Sequence, residues 1–299
     1  GDQFKDSPIR TNINSVIGLS KWLWRIKLQA NLSHQYIYDK TPNGNREISH
    51  FSPFISLAHI PFQKHNFRIR SHYKNTYRLP SFNDLYYNSI GNSNLKAENA
   101  KSFNIGLTYA KSIKLITFET TLDIYQNKIK EKIVAIPTKN LFNWSMQNIG
   151  DVLSQGIDLS ILYSYTKASV SIVFSTSQSY NTSIDVTKST NFTYGHQIPY
   201  TPNYTASYTS TLGYKKYALS FTLIQTGSRY VINENLPFNQ LDGFIDLGIG
   251  ISRTFKLKRQ TLYCKLNVVN LLNNNYEVIR SFPMPGRHFN LKIVYKFNT

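Results

Sequence analysis

The sequence predicts an all-β protein, an antiparallel transmembrane β-barrel of which about 12 strands are visible. Apolar and polar residues alternate over strand-length segments along most of the chain, and the segments between them alternate in length. No apolar run approaches the roughly 20 residues that a membrane helix needs. Because a barrel strand turns only every second residue toward lipid, a chain that is 41% hydrophobic can still cross a membrane with strands.

The most informative strand lies close to the C-terminus. Its apolar positions alternate with Asn290, Lys292, Val294 and Lys296, and they are Phe289, Leu291, Ile293, Tyr295 and Phe297. Successive side chains of a strand point to opposite faces, so one face of this strand is wholly apolar and aromatic. Such a strand, ending on the aromatic Phe297, is typical of the strand that closes a bacterial outer-membrane barrel.

The lengths of the connections follow the same architecture. Short links are expected near residues 62–65, 111–114, 166–169, 214–217 and 256–260. Long links are expected over residues 39–48, 80–98, 126–151, 180–201, 226–240 and 273–287. Strict alternation of short and long links is expected when short turns face the periplasm and long loops face the outside. A soluble β-sandwich has no reason to sort its loops in this way.

Composition narrows the class further. The 21 Tyr and 18 Phe suit the aromatic girdles of a barrel, although β-propensity alone also favours aromatic residues. The net charge of +18 first suggests nucleic acid, but the charges are spread singly along alternating strands, so we expect no nucleic-acid partner. We expect the charges to line the lumen or to contact outer-membrane lipid and lipopolysaccharide. The N-terminus, Gly1 to Phe4, has no charged-then-apolar stretch, which indicates a chain that is mature or lacks its beginning.

Four segments, in order, resemble the C-terminal barrel of TonB-dependent outer-membrane receptors: residues 77–98, 148–158, 198–202 and 268–289. Asp84, Ser93 and Ala97 depart from the family pattern, which has Glu, Pro and Pro at these places. The residues that carry the resemblance are Arg78, Pro80, Ser81, Asp84, Leu85 and Tyr86, then Asn94, Leu95 and Glu98, then Gly156, and finally Asn270, Tyr276, Pro285, Gly286 and Arg287. The resemblance extends from about Tyr77 to Phe297.

Most of these residues have an architectural interpretation. Pro80 cannot donate a ladder hydrogen bond, so it ends a strand, and Gly156 is expected to open one. Asn270 interrupts an apolar face where its strand reaches the rim and can tie down the loop that follows. Pro285 and Gly286 are expected to form a turn before the last strand, and Arg287 to pair with a carboxylate such as that of Glu277.

The resemblance implies a receptor of the Gram-negative outer membrane that imports a scarce nutrient, such as a siderophore or cobalamin. Residues 1–299 would then be the C-terminal portion of a barrel of about 22 strands. The N-terminal plug domain, and the region that contacts the TonB-type energy transducer, would lie outside this chain. The resemblance implies neither a cofactor nor a metal site, and it leaves the substrate-binding residues unknown.

Two alternatives remain open. A free-standing barrel of about 12 strands would be a passive porin or an adhesin, and a soluble basic β-protein would bind polyanions. We expect no enzyme, because the sequence holds no convergent catalytic motif and its 7 His are scattered. We therefore expect no catalytic residues and no metal ligands.

Overall fold

A computed structural model describes residues 8–41, 44–62, 66–137, 143–257 and 260–297. The expected links at 62–65 and 256–260, and the N-terminal segment Gly1 to Phe4, lie wholly or partly outside these described residues. The described chain is almost entirely antiparallel β-structure, which confirms the predicted fold class. No helix in the described ranges has the length and apolar character that crossing a bilayer requires.

Within the described residues the secondary structure consists of nineteen strands and two short helical turns. In chain order they are β1 Ile9–Leu23, β2 Ile26–Thr41, β3 Gly44–His59, β4 Asn66–Arg78, α1 Phe82–Tyr86, β5 Glu98–Ile113, β6 Ile116–Lys130, β7 Ile133–Pro137, β8 Trp144–Asn148, β9 Val152–Lys167, β10 Val170–Asp185, β11 Tyr204–Tyr214, β12 Tyr217–Thr226, β13 Arg229–Tyr230, the 3₁₀ turn Pro237–Asn239, β14 Gln240–Leu241, β15 Phe244–Leu257, β16 Gln260–Val269, β17 Glu277–Ile279, β18 Phe282–Pro283 and β19 His288–Phe297.

Thirteen of the strands form one sheet. Their order is β1-β2-β3-β4-β5-β6-β9-β10-β11-β12-β15-β16-β19, so each strand pairs with the next long strand in sequence. The remaining strands form three small two-stranded sheets inside the long connections: β7 with β8, β13 with β14, and β17 with β18. Sequence analysis missed these hairpins and α1, because all are too short to show a periodic pattern. Within the described residues β1 and β19 each pair on one side only, and they form the two edges of the sheet.

One face of the sheet is apolar and the other polar, as the alternating sequence predicted. On the apolar face, six apolar residues of neighbouring strands lie directly opposite one another in a single row: Leu291, Leu266, Ile251, Leu219, Leu212 and Ile172. The five apolar side chains that β19 places on this face, Phe289, Leu291, Ile293, Tyr295 and Phe297, are exposed by 44–71%. A soluble sheet would cover such a face, whereas a barrel wall turns it toward lipid.

The short turns share a backbone feature that the sequence conceals. Four two-residue links begin with a non-glycine residue of positive φ: Trp24 (55°), Lys114 (49°), Ala168 (50°) and Lys215 (54°). Positive φ at this position matches the right-handed twist of the two paired strands. Because the usual Gly or Asn is absent there, turn composition alone gives little sign of these hairpins.

The expected long link over residues 39–48 is wrong. β2 and β3 pair as far as Thr41 and Gly44, so only residues 42–43, outside the described ranges, separate them. The polar residues that suggested a loop belong to a strand, and Asp39 in it is buried. Polarity at a strand end beyond the membrane does not prevent ladder formation, since each backbone group still finds its partner.

Candidate functional site: the long loops at one edge of the sheet

Five long connections leave the same edge of the sheet. They are L1 (79–97), L2 (131–151), L3 (186–203), L4 (227–243) and L5 (270–287), and together we call them the loop crown. The short links, and the end of β19 at Phe297, lie at the opposite edge. Apart from the hairpin between β2 and β3, loop length therefore follows the predicted alternation. Since connecting loops on a rigid scaffold carry binding function most often, the loop crown is the candidate site.

L1 begins with a capped helical turn. The Ser81 hydroxyl accepts a hydrogen bond from the Asp84 backbone N–H (3.1 Å), and the Asp84 carboxylate accepts one from the Ser81 N–H (2.9 Å). This reciprocal capping box starts α1, and a carboxylate at Asp84 can fulfil the role of the family's Glu. The structure thus brings Ser81 and Asp84 together in an architectural role, through a contact that the sequence did not predict.

The fully buried Pro80 anchors L1 to the first strands. Its carbonyl accepts a hydrogen bond from Arg10 Nη1 (3.0 Å). The same guanidinium donates to both carboxylate oxygens of Asp39, at 2.6 and 2.7 Å, and lies 4.9 Å from the centroid of the Phe82 ring. A forked arginine–carboxylate pair fixes orientation as well as charge. Sequence analysis identified neither Arg10 nor Asp39, because the pair is separated by 29 positions.

L1 and L2 share a small apolar core. One buried cluster is formed by Leu85, Leu95, Ile133 and Met146. The half-buried Phe82, Tyr86 and Ile90 pack against it. The sheet itself offers little enclosed volume, because one face is directed outward. This cluster therefore supplies much of the apolar burial that stabilises the L1–L2 half of the loop crown.

Polar contacts close the seam between L1 and L2. Asn148 Nδ2 donates to the Lys96 carbonyl (3.2 Å), and Lys96 Nζ contacts Glu131 Oε1 (2.8 Å). The buried Glu98 carboxylate accepts the Ile133 N–H (3.1 Å). The Arg78 guanidinium is near that carboxylate and near Asp84, at 3.8 and 3.7 Å. Asn94 is positioned through its own backbone N–H, which donates to Asn92 Oδ1 (3.0 Å).

Asp185 joins L3 to L4. It is 2% exposed, and its carboxylate accepts four hydrogen bonds: from the N–H and Oγ1 of Thr187, from Thr193 Oγ1 and from Asn233 Nδ2. Burial raises the pKa of this carboxyl group, but the hydrogen bonds from Thr187, Thr193 and Asn233 outweigh burial and hold the pKa below its usual value. The charge therefore persists at neutral pH and orders both loops.

The contacts around Asp185 extend in both directions. The Asp151 N–H donates to Thr187 Oγ1 (2.9 Å), which connects L2 to L3. On the other side, Asn235 Nδ2 donates to the Gln197 carbonyl (2.9 Å) and His196 Nδ1 lies 3.1 Å from the Asn233 carbonyl oxygen, which strengthens the connection to L4.

Arg229 joins L4 to L5 without a carboxylate partner. Arg229 is only 3% exposed. Its Nη2 donates to the carbonyls of Glu277 (2.7 Å) and Val278 (2.8 Å). Nη1 donates to the Asp242 carbonyl (3.3 Å). Burial lowers the pKa of this guanidinium. A guanidinium stays charged even so, and the planar fork suits several carbonyl acceptors. Sequence analysis missed Arg229, because no motif marks it.

Asn270 ties L5 to the sheet, as the sequence predicted. It is buried and has positive φ (50°), and its Nδ2 donates to the carbonyls of Asn274 (2.9 Å) and Pro285 (3.2 Å). Its own N–H donates to Asp246 Oδ1 (3.1 Å). The other oxygen of Asp246 accepts the Tyr276 hydroxyl (2.8 Å). Burial, together with this hydrogen bond to a carboxylate, raises the pKa of Tyr276 to about 12.

Two predictions about the family-motif residues are wrong. Arg287 does not pair with Glu277: its Nε donates to the Leu271 carbonyl (2.9 Å), while the Glu277 carboxylate accepts the Ser281 N–H (3.0 Å). A backbone carbonyl lay closer to the guanidinium than any loop carboxylate. Pro285 and Gly286 lie in the irregular segment between β18 and β19 and form no turn there, and Gly286 lies close to Asn273.

Gly156 also differs from its predicted place. It lies inside β9, which begins at Val152, and a Cβ there would lie 2.5 Å from the Tyr180 carbonyl oxygen and 2.7 Å from the Tyr125 hydroxyl. The glycine is therefore needed for the close approach of a neighbouring strand and a tyrosine ring, rather than for starting the strand.

Below L1, the polar face of the sheet is strongly basic. Alternate residues of β4 on this face include Arg68, Arg70, His72 and Lys74. Arg70 is held by the Asp123 carboxylate and by Thr108 Oγ1, and Arg68 and Lys74 are exposed. The polar face thus presents a cationic column that leads from the loop crown toward the short turns. In the described residues, no group of three or more His, Cys, Asp or Glu is placed to hold a metal ion.

Segregated loops, one apolar face and one polar face define part of the wall of a membrane β-barrel. The sequence matches the family model described as TonB dependent receptor-like, beta-barrel over residues 14–271, and the chain belongs to this family. The family comprises receptors and transporters.

Known proteins agree with this assignment. Over 88 residues the chain is 33% identical to the vitamin B12 transporter BtuB of Vibrio vulnificus, covering 29% of this chain and 14% of that protein. BtuB of Photobacterium profundum is 31% identical over 88 residues, covering 28% and 14%. The copper transporter OprC has the same fold, with a TM-score of 0.73, 14% identity, and coverage of 96% of this chain and 48% of OprC. The FrpB iron transporter of Neisseria meningitidis gives a TM-score of 0.66 with 17% identity, covering 96% and 45%. The chain spans less than half the length of each of these relatives.

Proposed function

We propose that the protein containing this chain is a receptor in the outer membrane of a Gram-negative bacterium that imports a scarce nutrient with energy from a TonB-type transducer. Membership of the receptor family carries this proposal. The siderophore and cobalamin classes are the leading candidates for the substrate. BtuB supports the cobalamin class by its name alone, over a minor part of the chain.

We further propose that residues 1–299 form the C-terminal part of the barrel. The exposed edges of β1 and β19 support this arrangement, since unpaired backbone groups are unfavourable in lipid. Further strands would pair with both edges, and a plug domain would occupy the polar side. The free-standing porin or adhesin stays the alternative. An intact mass of the native protein well above 34.5 kDa supports the receptor, and a mass equal to it contradicts the receptor.

In the proposed mechanism the loop crown binds substrate outside the membrane and the transducer drives release through the plug. The contacts from Arg10 to Arg287 make the loop crown continuous, so that substrate meets a pre-ordered surface and loses little affinity to loop ordering. The cationic column on β4 favours an anionic chelate or acidic plug residues on the polar side. The chain contributes binding and positioning, and no catalytic step is proposed.

Uptake assays test this function. A strain that lacks the chromosomal gene is complemented with the full-length gene, and the import of radiolabelled cyanocobalamin and of a panel of radiolabelled ferric siderophores is measured. We expect import of one substrate class that disappears when the transducer gene is deleted. Equal import without the transducer would establish a passive pore and contradict the proposal.

A further inference from the structure

A lysine cluster lies on the apolar face of the sheet, just below the loop crown. Lys101 on β5 and Lys128 on β6 are directly opposite each other in register, and Lys130 lies two residues further toward L2 on the same face. All three are exposed. Cβ atoms of directly opposite residues are about 4.5–5.5 Å apart, and like charges at such positions destabilise a sheet.

The carboxylates nearby in the sequence bond to other groups. Glu98 accepts the Ile133 N–H and contacts Lys132, Glu131 contacts Lys96, and Asp151 accepts the Glu131 N–H. None of the ion pairs within the described ranges includes a member of the lysine cluster. Three adjacent cations without a carboxylate favour an external anion.

An apolar groove continues the same face directly beneath the lysines. Its volume is about 460 Å³, within the usual range of about 300–1,000 Å³ for small-ligand sites. Register places Phe103 across from Gln126, one alternation below the Lys101–Lys128 pair. The lining side chains on this face are mostly apolar, with three polar residues at the end nearest the lysines: Phe103, Ile105, Ile124, Ile157 and Tyr180, with Gln126, Gln155 and Thr182.

We propose that the lysine cluster and this groove bind one phosphorylated glycolipid of the outer leaflet, with its phosphate on the lysines and an acyl chain in the groove. The long-loop edge of such barrels faces outward, so the lysines lie at the level of the outer-leaflet head groups. Cations near an anionic lipid surface strengthen binding by about fivefold each. The site is separate from the loop crown and from the polar face, and it is independent of which nutrient the receptor imports.

Native mass spectrometry of the full-length protein, delipidated and titrated with purified bisphosphorylated lipid A, tests the site. The variant Lys101→Gln/Lys128→Gln/Lys130→Gln is expected to bind at least about tenfold more weakly than the wild type. Lys111→Gln is the matched control, because Lys111 is an exposed lysine of the same strand and face at the short-turn edge. It should bind as the wild type does. A heat-shift gel verifies that each variant forms the folded barrel.

Two further measurements decide between ligands. The wild type should bind lipid A without phosphates as weakly as the triple variant binds phosphorylated lipid A. Ile124→Trp, which fills the groove without changing the lysines, should also weaken binding of phosphorylated lipid A. Equal binding of phosphorylated and dephosphorylated lipid A, or an unchanged triple variant, overturns the proposal. Complete displacement by millimolar inorganic phosphate would reveal an adventitious anion only, and preference for phosphatidylglycerol would refute the assignment to a glycolipid.

Discussion

The carboxylate of Asp185 gives the sharpest test of the loop crown as a cooperative structure. Asp185→Ala removes the acceptor of four hydrogen bonds and leaves their donors in a buried setting. A hydrogen bond to a charged group contributes about 1.5–3 kcal/mol, and bonds that share one acceptor are not additive. We therefore expect L3 and L4 to lose about 3–5 kcal/mol of local stability, while the strand ladder is unaffected.

Hydrogen exchange measured by mass spectrometry on the detergent-solubilised protein reads this loss directly. A loss of about 3 kcal/mol of local stability makes amide exchange more than about 100-fold faster, where exchange requires local opening of the loop. The Gln197 amide, which donates to Asn235 Oδ1, reports on the contact between L3 and L4. The Thr187 amide, which donates to the Asp185 carboxylate, reports on L3 itself. Asp242→Asn, at an exposed aspartate of L4, is the matched control and should leave both rates unchanged.

The acid response of the same amides has a definite sign. Because the pKa of Asp185 is lower in the folded protein than its unfolded value of about 3.9, its contribution is complete above that pH. The contribution is lost only as the pH falls through the lower, folded value. Protection of Gln197 should therefore persist at pH 5. Unchanged exchange of Gln197 in Asp185→Ala would show that other contacts hold the loops and would refute the reasoning.

Three other predictions follow from the described contacts. Arg229→Lys loses the forked donation to two carbonyls of L5, so we expect a loss of about 2–3 kcal/mol and faster proteolytic cleavage of L4 and L5. Gly156→Ala forces a Cβ against the Tyr180 carbonyl oxygen and should cost about 1–3 kcal/mol in thermal unfolding in detergent, whereas an unchanged unfolding temperature would contradict the required close approach. Tyr276 should ionise only near pH 12, visible as a difference in ultraviolet titration between the wild type and Tyr276→Phe, and ionisation near pH 10 would disprove its hydrogen bond to the Asp246 carboxylate.

The candidate site could be predicted only in part. The segments that carry the family resemblance lie in or beside the loop crown, and Ser81, Asp84 and Asn270 have the architectural roles that their residue types suggest. Asp185 and Arg229, which connect one loop to the next, and Arg10, which connects L1 to the first two strands, were missed. A buried charge acquires its role from partners tens of residues away, and the local pattern does not record them.

The sequence by itself determined most of the long strands, their two faces and the side on which the long loops gather. These features follow from the two-residue period of an extended backbone and from the placement of polar segments, both of which are local. Only the tertiary structure decided that residues 39–41 and 44–48 belong to two paired strands, that Gly156 lies inside a strand, and that the loops are joined into one crown. Each of these depends on which distant backbone or side chain comes within hydrogen-bonding or van der Waals distance, and register between strands sets that distance.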